Sequence, residues 1–80
     1  MDDAIKIVLL RQRSEYLIGK ITELDEEPSL LIENCYQIED EECMKPFPRF
    51  SSQRDLFLTS ECVLTILDPA PKLLEAYKAL

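Results

Sequence analysis

Eighty residues bound this chain to one small domain, and a domain of that size buries only about 60 to 65% of the surface its unfolded chain exposes. Hydrophobic residues make up 46% and charged residues 31%, which excludes a disordered chain, and no apolar run reaches membrane-spanning length, so no membrane partner is expected. Sixteen acidic against nine basic residues give a net charge of −7, the wrong sign for holding a phosphate backbone by bulk electrostatics.

The acidic start Met1-Asp2-Asp3 runs directly into an apolar segment and carries no signal-peptide pattern, so an intracellular, cytoplasmic protein is expected. Ala4 to Leu10 then alternates: Ile5, Ile7 and Leu9 lie on one face, while Lys6 interrupts an apolar opposite face at Val8 and Leu10. This pattern predicts a first strand. Arg11-Gln12-Arg13-Ser14 is a polar break of hairpin length, and Glu15 to Leu24 follows as a second strand. The only glycine of the chain, Gly19, stands in the middle of that strand. Glycine weakens a strand, so its place there is geometric: a sharp bend crowds side chains on the inner surface, and glycine relieves the crowding.

Asp25-Glu26-Glu27-Pro28-Ser29 reads as a tight polar turn. Leu30 to Ile38 returns as a third strand, with Leu30, Ile32, Asn34, Tyr36 and Ile38 expected on one face. Glu39-Asp40-Glu41-Glu42 is a solvated charge run without the spacing or turn glycine of a calcium loop. Pro46 and Pro48 forbid regular central pairing, so residues 39–55 are expected to form one long loop. Only there do aromatic and basic residues interleave, Phe47 and Phe50 beside Lys45, Arg49 and Arg54. The phenylalanines can pin the loop to the domain or stack on bases.

Leu56-Phe57-Leu58 and Val63 to Leu67 are short strands separated by Thr59-Ser60-Glu61-Cys62, and both are apolar at nearly every position. Strands apolar on both faces need cover on both, from a neighbouring subunit or from a terminal helix. That helix is expected over 69–80, capped by Asp68, with Pro69 or Pro71 in its first turn and Leu73, Leu74, Tyr77 and Leu80 on one stripe.

Catalysis is not expected. The chain has no histidine, and Cys35, Cys43 and Cys62, an odd number without CxxC spacing, read as reduced small hydrophobes rather than disulfide partners or zinc ligands. No metal or other cofactor is implied. The basic pair Arg11 and Arg13 at the hairpin tip is either a solubilising feature or a phosphate contact repeated around an oligomer.

The order of these elements over residues 4–67, with Gly19 in the second strand, Asp25 in the acidic turn, the apolar Leu30-Leu31-Ile32 and a strand pair pinched at Thr59-Ser60, resembles the Sm and Sm-like family. In size and acidity the chain is also similar to the small Sm-like proteins of marine phages. Ser29 stands where the family commonly has a base-contacting asparagine, and Thr59-Ser60 where it has Arg-Gly. The family usually opens with a helix, whereas here the helix comes last. The resemblance implies a mainly β fold, a strongly bent five-stranded antiparallel open barrel with one C-terminal helix, as a single domain over residues 1–80. It also implies a homo-oligomeric ring in which Leu56, Phe57 and Leu58 of one copy pair with Val63, Leu64, Thr65 and Ile66 of the next. Single-stranded RNA or DNA would then be bound by Glu27, Ser29, Thr59 and Ser60. Threonine lacks the stacking and charge-assisted bonding of arginine, so Arg11, Arg13, Arg49 and Arg54, with Phe47 and Phe50, form a second candidate surface. The competing expectation is a structural or adaptor ring whose partners are proteins.

Overall fold

A computed structural model describes residues 4–41, 43–48 and 50–80. Six antiparallel strands and one C-terminal helix follow in the order β1 (Ile5–Leu10), β2 (Tyr16–Glu23), β3 (Leu30–Asp40), β4 (Cys43–Pro46), β5 (Leu56–Leu58), a 3-10 turn (Ser60–Cys62), β6 (Val63–Leu67) and α1 (Pro71–Lys78). The mainly β class with a terminal helix is as expected. The sheet runs β4-β3-β2-β1-β6, with β5 paired to β3. β3 is long enough to divide its outer edge: its first half, Leu30 to Ile32, pairs with β5, and its second half, Tyr36 to Asp40, pairs with β4. The sheet does not close on itself, since among the described residues no pairing joins β5 to β6.

The strand count is six rather than five because the span expected to be one loop, 39–55, contains the end of β3 and the whole of β4. β4 lies at the sheet edge and ends on Pro46. An edge strand tolerates a proline at its end, where no ladder donor is needed.

Gly19 answers to sterics. It is buried, and a Cβ built there would lie 2.6 Å from Ile32 Cγ2 and 2.8 Å from the Glu33 carbonyl oxygen. The register shows why β3 comes so close. Ile18 faces Tyr36 and Lys20 faces Glu33, so Asn34 and Cys35 together oppose Gly19 in a bulge. Asn34 takes the left-handed conformation, φ 54°, which asparagine tolerates better than most residues.

The bulge also overturns the expectation that Leu30, Ile32, Asn34, Tyr36 and Ile38 share one face. Leu30, Ile32 and Cys35 join Val8, Leu10 and Leu17 in an inner core, against which Phe47, Leu56, Leu58, Cys62 and Val63 pack. Tyr36 and Ile38 join Ile5, Ile7 and Ile18 on the outer face beneath Leu73 and Tyr77 of α1. One extra residue in a strand of period two exchanges the faces of everything after it.

α1 begins at Pro71, two residues later than expected. Its N-cap is Ala70 without a side-chain cap bond, and Asp68 is instead ion-paired with Lys6 of β1. Leu73 and Tyr77 are buried, but Leu80, expected on the same stripe, is exposed. Tyr77 reaches furthest inward: its hydroxyl donates to the Asn34 carbonyl at 2.7 Å, and its ring meets Tyr36 edge-on at 6.0 Å between centroids. Among the described residues no helix is long and apolar enough to cross a membrane.

Candidate functional site

Two turns distant in sequence meet at one carboxylate. Glu27 of the β2–β3 turn accepts from the backbone N–H of Ser29 at 3.0 Å and from that of Ser60 at 3.1 Å, and the Ser60 hydroxyl donates to its second oxygen. The turn is tightened by a 2.7 Å bond from the Leu24 N–H to the Ser29 carbonyl. Donors gathered on the ionised form hold the Glu27 carboxyl below its ordinary range, those of Ser60 contributing most. Glu27, Ser29 and Ser60 thus come together. Ser29 and Ser60 also line a shallow depression of about 240 Å³ with Leu30, Val63 and Ile66.

Thr59, next to Ser60 in sequence, belongs to a different place. It lines a cleft of about 550 Å³ at the open end of the inner core, together with Arg11, Gln12 and Arg13 of the β1–β2 hairpin and Phe47, Leu58, Glu61 and Cys62. β1 and β6 are neighbours, and the Arg11 N–H donates to the Cys62 carbonyl at 2.9 Å, so the hairpin tip is pinned beside the 3-10 turn. Arg11 Nε donates to the Val63 carbonyl at 3.3 Å. Arg13 grips Glu15 through two bonds of 2.9 and 2.8 Å, and that pairing draws the Glu15 carboxyl down to about 2.

The two phenylalanines part ways. Phe47 is half-buried against the inner core and anchors its segment, while Phe50 is fully exposed in a left-handed conformation of φ 65°. Phe50 borders a second depression of about 310 Å³ with Gln37, Lys45 and Pro48. Arg54 serves the fold: its Nη2 donates to the Ser51 carbonyl at 2.7 Å, and its own carbonyl accepts from the Cys35 N–H at 2.9 Å. Asp55 beside it accepts from the Asn34 N–H at 2.9 Å. Arg49 lies outside the described residues.

Cys35 is fully buried, and burial pushes its thiol up to about 12, which leaves it inert as a nucleophile. Cys43 is exposed and Cys62 half-buried, and all are free thiols. Among the described residues no group of three or more acidic or cysteine side chains is gathered to hold a metal ion.

Of the residues expected between subunits, Phe57, Leu64 and Ile66 are exposed, whereas Leu56, Leu58, Val63 and Thr65 are half-buried. Register explains the division. Leu56 and Leu58 face Ile32 and Leu30 on the inner side, while Phe57 faces Leu31 on the outer. Leu64 is the extra residue of a second bulge, since Leu9 faces Thr65 and Leu10 faces Val63. Among the described residues β5 and β6 are each paired along one edge.

Glu27 and Ser60 are both among the residues expected at the site, but the direct bond between them is not legible in sequence, because the two lie far apart along the chain.

No curated protein matches this sequence. Residues 3–80 match a family of unknown function, DUF6561, over nearly the whole length, and the chain belongs to that family.

Proposed function

We propose that this protein is an Sm-like, ring-forming protein that binds single-stranded nucleic acid, RNA in the first instance, and acts in RNA processing without catalysis. The observation that carries this reading is the placement of β5 and β6. They are consecutive strands joined by one 3-10 turn, they pair with opposite ends of the β1–β2–β3 meander, and each keeps one edge unpaired among the described residues. A free edge on each side, with exposed Phe57, Leu64 and Ile66 beside them, suits head-to-tail pairing of β5 with β6 of the next copy. Repeated, that contact closes a ring. The meeting of the 25–29 turn with Ser60 supports it further, because the resemblance assigns base contact to these two turns.

A ring presents several weak sites to one strand, so avidity offsets the unfavourable net charge. The test is a salt titration of binding to short and long single-stranded oligonucleotides. The reading expects affinity to rise with length and fall with salt. Absence of binding at low salt contradicts it and favours the second reading, an adaptor ring with protein partners. That alternative draws on the net charge of −7 and on the capture of Arg13 by Glu15.

A further inference from the structure

We propose that the cleft between the β1–β2 hairpin tip and the 3-10 turn is a nucleotide pocket, one per subunit, selective for guanine. The inference rests on the nucleic-acid reading above but places the base away from the Glu27, Ser29 and Ser60 clasp. The cleft, at about 550 Å³, has the size and the lining of a small-molecule site, an apolar floor with a few polar groups at the rim. Its floor is Leu10, Leu58, Cys62 and the ring of Phe47, which is held in place by the inner core. A base can lie against that floor with little loss of side-chain freedom, since Phe47 is already packed.

The rim supplies both charges a nucleotide needs. Arg11 makes no ion pair among the described residues, and its only side-chain bond is through Nε to the Val63 carbonyl. Arg13 uses Nε and Nη2 on Glu15 and keeps Nη1. Two guanidinium groups at one hairpin tip suit a phosphate. Glu61 lines the same cleft and has no hydrogen bond or ion pair among the described residues. A carboxylate only accepts, so it selects a base edge that donates. Guanine presents two adjacent N–H donors, N1–H and the N2 amine, to its two oxygens. Uracil presents one N–H between two carbonyls that the carboxylate repels.

The test is amide chemical-shift mapping of the full chain titrated with 5′-GMP, 5′-UMP and inorganic phosphate. The proposal expects shifts centred on residues 11–13, 47 and 58–62, with GMP bound at least tenfold more tightly than UMP. Glu61→Gln should remove that preference, and Arg11→Gln should weaken both nucleotides by a similar factor. Equal binding of GMP and UMP, a phosphate response as strong as that to GMP, or a preference unchanged in Glu61→Gln overturns it. Shifts centred on Ser29, Leu30 and Ile66, with residues 11–13 and 47 unmoved, overturn the pocket while leaving the nucleic-acid reading intact. A GMP response at the cleft in a chain that binds no oligonucleotide breaks the nucleic-acid reading and leaves the pocket standing.

Discussion

Apolar rows run from the three-strand spine into the β5–β6 flank, and their residues meet different fates in the two regions. On one inner row Leu17, Val8 and Ile66 stand side by side across β2, β1 and β6. Leu17 and Val8 are 0% exposed, and Ile66 is 36% exposed. On the outer row Ile18 is 0% exposed beneath α1, while Leu67, two strands away, is 46% exposed. Composition does not distinguish these residues. Position does: α1 covers the outer face of the spine only, and Phe57, Leu64, Ile66 and Leu67 of the flank stay exposed among the described residues.

The comparison is broken most violently at the spine. Ile18→Ala and Leu17→Ala each remove a fully buried side chain and should cost about 2–5 kcal/mol, read by denaturant unfolding. Ile66→Ala, on the same inner row as Leu17, should cost well under half as much. Equal costs would mean that Ile66 is covered, and their dependence on protein concentration separates cover by a second copy from cover within one chain.

Next in size is Gly19→Ala. The added methyl must displace Ile32 Cγ2 and a backbone carbonyl, so a loss of about 1–3 kcal/mol is expected. A neutral result would show that the bulge opposite Gly19 relaxes freely.

Tyr77→Phe tests whether α1 fixes the bulge as well as covering the face. Losing the bond to the Asn34 carbonyl should cost about 1 kcal/mol, or roughly 4–8 °C in melting temperature. Burial raises the Tyr77 hydroxyl above its ordinary value. The neutral form is therefore favoured by folding, and its contribution is full below about pH 10 and lost as pH rises through the shifted value. Wild type should lose stability at that alkaline end, and Tyr77→Phe should lose less.

Why the sequence disclosed some of this and not the rest follows from range. The spine strands and α1 were legible because alternation and the helical stripe of Leu73 and Tyr77 are local patterns, and Gly19 was legible because a glycine inside a strand demands a reason. The exchange of faces at Asn34 was not. The bulge is stabilised by Asp55 on its N–H and Tyr77 on its carbonyl, neither of them near it in sequence. β4 was hidden by Pro46, which reads as a breaker until its edge position is known. The parting of Thr59 from Ser60 into two sites depends on two long-range contacts at the 3-10 turn, the hairpin tip at Cys62 and the 25–29 turn at Ser60.

The smallest effect belongs to the clasp between turns. Glu27 is favoured ionised by the fold, so its contribution is present above the ordinary carboxylate range, about pH 4–4.5, and is lost as pH falls through its lowered value. Glu27→Gln should flatten that part of the acid unfolding curve and leave stability at pH 7 nearly unchanged, because the group is exposed. An unaltered acid limb would show that the two turns hold together without it.

The proposed ring requires that the flank be completed by a second copy of the same chain. Light scattering of the 80-residue chain at micromolar concentration is the decisive measurement, with Phe57→Lys and Leu64→Lys as comparisons. Both residues are exposed, at 57% and 60%, so the variants should fold, whereas Leu58 packs against the inner core and is unsuitable. The account predicts a discrete mass several times that of one chain, falling toward 9.3 kDa in the variants. A compact monomer for the wild type would contradict it.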